Sequence, residues 1–153
     1  MNQAAIALSK ARLAKAKEDL CSAERALKDN ELRTSANRSY YAVFHAMRAV
    51  NSLDGYDSKK HSGVIQHFNY EHIHQHNDFP DDTYRLIDDV KQIRQISDYD
   101  DFYICSKSDA EEQLESAKLF LSQVEDFLKT IDTETEKESS ISDVNSNEKS
   151  VTE

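Results

Sequence analysis

The sequence predicts an all-α fold, an up-down bundle of four to five helices. Three observations lead there. Only two Gly and one Pro interrupt 153 residues, strong helix formers recur throughout, and apolar residues return at helical spacing. Ile6, Leu8, Leu13, Leu20 and Leu27, with Ala between them, mark a first long helix from about Ala4 to Lys28, whose end Asp29-Asn30 weakens. A second helix is expected from Ser35 or Ala36 to Leu53, stopped by the turn signal Asp54-Gly55. A shorter helix fits around Lys60 to Tyr70, and the polar, His-rich stretch Glu71 to Phe79 reads as partly irregular. Pro80 precedes a helix with Asp81-Asp82 in its first turn and Tyr84, Leu86, Ile87, Val90, Ile93 and Arg94 carrying the period. Ser97 to Ser106 is the main loop. Ser108 is expected to cap the last helix, with Glu111 completing a capping box, and Leu114, Ala117, Leu121, Val124 and Leu128 form its core stripe beside Phe120 and Phe127.

Composition narrows the functional classes. With 38% hydrophobic and 31% charged residues, the chain suits one domain, placed at residues 4–131. No run approaches the roughly 18 apolar residues of a membrane span, and Met1 to Ala5 lacks the features of a secretory signal, so a cytoplasmic protein without a membrane partner is expected. Cys21 and Cys105 are too few and too scattered for a disulfide framework or a zinc knuckle and read as buried free thiols. The net charge of −10 argues against broad capture of nucleic acid. Residues 132–153 hold seven acidic and two basic residues, so −5 of that charge sits in a tail expected to be disordered. With glycine only at 55 and 63, a phosphate-cradling loop is absent.

The second helix holds the chemistry. At about 100° per residue, Tyr40, Val43, Phe44, Met47 and Val50 fall on a core side, while Arg38, Tyr41, His45, Arg48 and Ser52 fall opposite, beside Ala42 and Ala49. Arg38 and His45 are seven positions apart, so they share a face about 10 Å apart along the axis. Imidazole moves a proton near neutral pH, and guanidinium holds a phosphate oxygen and offsets developing charge. The small Ala residues would let another helix approach, and a symmetric dimer would bring two Arg/His pairs into one cleft. A structural reading makes Arg38 and Arg48 a solvated face and His45 a surface residue. His67, His72, His74 and His76 read as a solvated, mobile segment with Asp78 as the nearest carboxylate and adventitious Zn or Ni capture as the lesser reading, so no metal site is assigned. His61 either faces the cleft or supports a helix start. Arg94 is expected to pair with Asp98 or Asp100 in a bundle-closing loop, with Tyr99, Phe102 and Tyr103 partly buried.

Asn37 to Val50 resembles the signature of the HEPN domain family (higher eukaryotes and prokaryotes nucleotide-binding), in which four to six residues separate an Arg from a His; six separate them here. The resemblance extends to Tyr40-Tyr41-Ala42-Val43-Phe44-His45, to Lys59-Lys60-His61-Ser62-Gly63, and to Arg94 followed by Asp98-Tyr99-Asp100-Asp101, covering about residues 5 to 130. It implies a bundle of four or five helices, usually homodimeric. It also implies a metal-independent endoribonuclease that needs no cofactor, acts on RNA rather than DNA, and is often a toxin paired with a minimal nucleotidyltransferase antitoxin. Arg38 and His45 match the catalytic positions. His45 would take a proton from a ribose 2′-hydroxyl or give one to the leaving 5′-oxygen, Arg38 would clamp the phosphate, and the product would carry a 2′,3′-cyclic phosphate. Asn37, Tyr41, Arg48 and His61 are the expected cleft or RNA-binding residues. The Tyr that some family toxins carry two residues after the His, where AMP is attached, is Met47 here, which leaves Tyr41 as a substitute acceptor. The alternative reading is a non-catalytic nucleotide-binding or adaptor module acting with a nucleotidyltransferase.

Overall fold

The computed structural model of the protein describes residues 2–150, with side chains described through Val144. It is the expected all-α bundle: α1 (Gln3–Lys28), α2 (Leu32–Ser52), α3 (His61–Phe68), a π-helical segment (Asn69–Gln75), α4 (Thr83–Tyr99) and α5 (Lys107–Ser150), with no strand among the described residues. No helix of the described residues is long and apolar enough to cross a membrane.

The central element is α2, which packs against α1, α3, α4 and α5. Val43, Met47 and Val50 meet Val64, Phe68, Ile73, Val90, Phe120 and Val124 in one continuous apolar core. The opposite side of α2 is not free. There α1 lies antiparallel in the same chain, and Ala16, Ala42, Ala46 and Ala49, all 0% exposed, let the two backbones approach. Two buried serines tie the pair: Ser9 Oγ donates to the Ala49 carbonyl at 2.7 Å, and Ser35 Oγ donates to the Ala23 carbonyl at 2.8 Å. The face that small residues were expected to offer to a second helix is therefore filled from within.

The boundaries differ from the expected ones for local reasons. Helix α2 begins at Leu32 rather than at Ser35 or Ala36, and Ser35, inside the helix, ties α2 to α1. The α1–α2 turn is a Schellman motif: Asn30 is left-handed (φ 60°), Glu31 N–H donates to the Ala26 carbonyl at 2.8 Å, and Asn30 N–H donates to the Leu27 carbonyl at 3.1 Å. Ser106, not Ser108, starts α5; its Oγ accepts from Asp109 N–H at 3.0 Å. The stretch expected to be partly irregular divides: residues 69–75 are π-helix, with His72 and Ile73 buried, and residues 76–79 lie outside any helix. Tyr99 and Phe102, expected to be partly buried, are 76% and 93% exposed because α4 runs on to Tyr99 and the loop turns outward. Cys105 is buried, as expected, but Cys21 is exposed on the outer side of α1.

The expected disordered tail differs too. Helix α5 continues past Asp132 to Ser150, with neither Gly nor Pro to stop it. Lys10 meets Asp132 at 3.4 Å, and every described side chain from Glu136 to Val144 is exposed. Residues 151–153 lie outside the described residues.

The left-handed Asn30 yields a direct test. Asn30→Ala should lower unfolding stability by about 1 kcal/mol, the cost of a Cβ-bearing residue without a local hydrogen-bonding side chain in this region, and Asn30→Gly should not. Urea melts of the three proteins compare them; an unchanged midpoint for Asn30→Ala would remove the turn from the stability argument.

Candidate functional site

Arg38, Tyr41 and His45 form one line along α2 at the edge of its contact with α1. Arg38 lies over the Tyr41 ring, its guanidinium carbon 4.8 Å from the centroid. Its Nη2 donates to Asn37 Oδ1 at 2.9 Å, so Asn37 orients the guanidinium. Its Nη1 donates to Asp19 Oδ1 at 3.3 Å.

Asp19 comes from α1 and was not anticipated from the sequence. A signal was present, since Asp19 sits three residues after Ala16 and four before Ala23, on the stripe that faces α2. An acid on a buried stripe calls for a partner, and the partner is Arg38. Burial raises the pKa of Asp19, while the charges of Arg38 and Lys15 work against the rise. The other oxygen, Oδ2, stands 3.7 Å from His45 Nε2, too far for a hydrogen bond.

His45 is 8% exposed. Burial pushes its pKa down to about 4, and the positive charges of Lys15, Arg48 and Arg38 push the same way. The ring is therefore neutral near pH 7, and the contact with Asp19 is not an ion pair. Its buried Nδ1 has no hydrogen-bond partner among the described atoms. A neutral imidazole beside a guanidinium can accept a proton while the guanidinium holds an anion.

His61, at the first turn of α3, belongs to the same cluster. Its ring stacks on Phe44 with centroids 4.1 Å apart, and its Nδ1 is 2.9 Å from the Tyr40 hydroxyl. Burial lowers the pKa of His61, with Arg94 and Arg48 adding to it. Arg94 of α4 closes the group from the far side, 5.2 Å from the Tyr40 ring and 5.9 Å from the Tyr41 ring. Asp98, one turn on, holds Arg94 Nε at 2.9 Å, one of the two expected pairings. Tyr40, read from the sequence as core alone, thus also presents a hydroxyl, whose pKa burial pushes up to about 12.

Arg48 is placed differently from expectation. Its Nη2 donates to Asp57 Oδ1 at 3.1 Å, and the same carboxylate receives Arg12 Nη2 at 3.0 Å. Arg33 donates to the Tyr103 carbonyl at 3.3 Å. The positive charges that act on His45 are those of Lys15, Arg48 and Arg38. A crevice of about 610 Å³ opens elsewhere, between Tyr56, His67, Tyr70 and Lys91. Among the described residues, the group with donor atoms close enough to share a metal is a separate one, Asp54, His67 and His72. His72 is 4% exposed, against the expectation of a solvated segment. Burial alone would lower its pKa, but hydrogen bonds to Asp54 and Asp78 outweigh burial and raise it.

Comparison with known proteins now bears on this geometry. A protein of Pyrococcus horikoshii named UPF0332 is 49% identical over 51 residues, 33% of this chain and 36% of its own length. A Methanocaldococcus jannaschii protein that carries the name of a candidate toxin is 30% identical over 94 residues, 61% of this chain and 63% of its own length. The chain thus spans less than two thirds of either relative. A second candidate toxin of the same organism is 30% identical over 120 residues, 74% of this chain and 84% of its own length. The model of the HEPN domain matches residues 9–127, a stretch that holds Asp19, Arg38, His45, His61 and Arg94, and on that match the chain belongs to the HEPN domain family.

Proposed function

We propose that the chain is a HEPN-type, metal-independent endoribonuclease and the toxin of a toxin–antitoxin pair. The observation that carries this reading is the presentation of Arg38 and a neutral His45 on one edge of α2. The toxin names of two relatives support it.

In this reading Arg38 exchanges Asp19 for a phosphate oxygen of RNA. Two of its donors are taken by Asp19 and Asn37, but its side chain is 37% exposed. His45, neutral before substrate arrives, takes the proton of the ribose 2′-hydroxyl, whose oxygen attacks the adjacent phosphorus. The attack is intramolecular, so holding the phosphate against Arg38 supplies much of the rate. The leaving 5′-oxygen needs a proton, and the incoming phosphate charge would raise the pKa of a second imidazole toward neutrality. A homodimer that sets two His45 rings in one cleft would supply a base and an acid. Asn37, Tyr41 and His61 would shape the RNA path, with Tyr41 able to stack on a base; Arg48 would lend charge from beside Asp57.

The antitoxin would be a nucleotidyltransferase. Met47 is 0% exposed and has no hydroxyl, so AMP transfer would fall on Tyr41, under Arg38. The second reading, a nucleotide-binding or adaptor module, rests on the same Asp19, which occupies the guanidinium in the free chain.

Inducible expression in a bacterial host tests the proposal. Wild type should arrest growth and fragment cellular RNA, while His45→Ala and Arg38→Ala should do neither and should keep their helical content; the loss in kcat is about 10²- to 10⁴-fold for the base. Harmless folded wild type with intact RNA would leave the binding-module reading. The pH profile is a sharper check. Because His45 must be neutral to act as base, kcat/KM should rise as pH climbs through about 4 and be level by 6.5, the ordinary imidazole value. A limb centred at 6.5 would mean that burial does not hold the imidazole acting as base below its ordinary value. Asp19→Asn should tighten RNA binding by up to about fivefold in a filter assay, the worth of one partly buried ion pair, screened on its Arg38 side, that no longer competes; weaker binding would make Asp19 a supporting group instead.

A further inference from the structure

Three side chains from three different elements converge at the end of α2 away from Arg38. Asp54 lies in the turn after α2, His67 on the last turn of α3, and His72 in the π-helical segment. Asp54 Oδ2 is 2.9 Å from His67 Nε2 and 2.6 Å from His72 Nε2, and one donor atom from each of the three lies within 4.8 Å of the others.

We propose that Asp54, His67 and His72 form a binding site for a divalent transition metal of the zinc class. The donor set is the first reason. Two imidazoles with one carboxylate suit a zinc-type ion that keeps a further position for water, whereas Mg²⁺ and Ca²⁺ favour all-oxygen surroundings.

The surroundings of the donors are the second reason. His72 Nδ1 is 2.8 Å from Asp78 Oδ2, which assigns the Nδ1 proton to that contact and aims Nε2 at the shared point. This is the carboxylate–histidine–metal arrangement that orients ligands in metal sites. His67 is held by Tyr56, its ring stacked at 4.0 Å and 4° from parallel. Asp54 and His72 also line a crevice of about 430 Å³ with His76, Asp78 and Glu134, which gives an ion a path in.

The backbone is the third. A π-helix is rare and tends to sit where function needs a side chain re-aimed. Here it turns His72 inward to 4% exposure while His74 of the same segment stays exposed. Tetrahedral donors at zinc distances stand about 3.3 Å apart, so the observed 2.6 and 2.9 Å require the donors to part by a few tenths of an ångström as the metal replaces the protons they share.

The site has a structural consequence. His67 is six residues after His61 on α3, about 9 Å along the axis. A metal at one end of α3 would brace the helix that carries His61 against Phe44 at the other.

The test uses the full chain, stripped with a chelator and then titrated with Zn²⁺ by calorimetry and with Co²⁺ by visible absorption. One equivalent should bind, with the strong d–d bands of four-coordinate Co²⁺ and a rise in Tm that grows with metal concentration. His67→Ala and Asp54→Asn should weaken binding at least tenfold. Asp78→Asn, which touches no metal, should weaken it about 10- to 100-fold. His74→Ala should leave binding unchanged, and excess Mg²⁺ should not compete. Circular dichroism of each variant separates lost ligands from lost folding. The proposal is overturned if wild type shows no saturable binding, if folded His67→Ala and Asp78→Asn bind as wild type does, or if His74→Ala alone abolishes binding, which would mark adventitious capture by the exposed histidines.

Discussion

Close contact between α1 and α2 is the constraint on which the remaining architecture depends. Ala16 and Ala23 on one helix and Ala42, Ala46 and Ala49 on the other remove side-chain volume from the contact, and the buried serines at positions 9 and 35 complete it with hydrogen bonds to main-chain carbonyls. Once α1 covers one side of α2 and the aromatic core of Phe68 and Phe120 covers the other, 14 of the 21 residues of α2 are buried. What remains of α2 for chemistry is a narrow margin, and Arg38, Tyr41 and His45 occupy it. The low exposure of His45 follows from this packing, and so does its neutrality.

Packing also explains how much of the protein was legible beforehand. The periodic apolar stripes of α1, α4 and α5 are local properties, so those helices and the core role of Leu114, Ala117 and Val124 could be read directly. Arg38, Tyr41 and His45 were legible because helical spacing alone places them together. Asp19 and Arg94 reach the same place from other helices, and single-helix spacing says nothing about that. The histidines failed for a related reason: the polar, His-rich stretch reads as partly irregular and solvated, whereas a π-helix sets His72 between two carboxylates. Ser35 and Ser108 mislead in the opposite direction, since each reads as a helix start, whereas Ser35 ties α2 to α1 from within the helix and Ser106 caps α5.

Electrostatics bears on how so acidic a chain would take the anionic ligand proposed for it. The charge of −10 is spread over 153 residues, whereas Lys15, Arg38 and Arg48 act together on His45 from one side of the bundle. Asp19 tempers that field in the free chain. In the proposed function, an anion displacing Asp19 from Arg38 would gain a guanidinium already oriented by Asn37 and braced on Tyr41, and the carboxylate would act as a placeholder for it.

The outward run of α5 has a dynamic consequence. From Glu136 to Val144 each described side chain faces solvent, so these turns are held by their own main-chain hydrogen bonds and by no packing. Several hydroxyls along this helix, those of Thr130, Thr133, Thr135 and Ser140, bond back to the carbonyl four residues earlier, which further softens the main-chain ladder. One continuous helix therefore spans two regimes. Amide protons beside Phe120 and Val124 exchange with solvent only when the bundle opens as a whole, while those past Glu136 exchange through local fraying, and the boundary between the two lies where Lys10 meets Asp132.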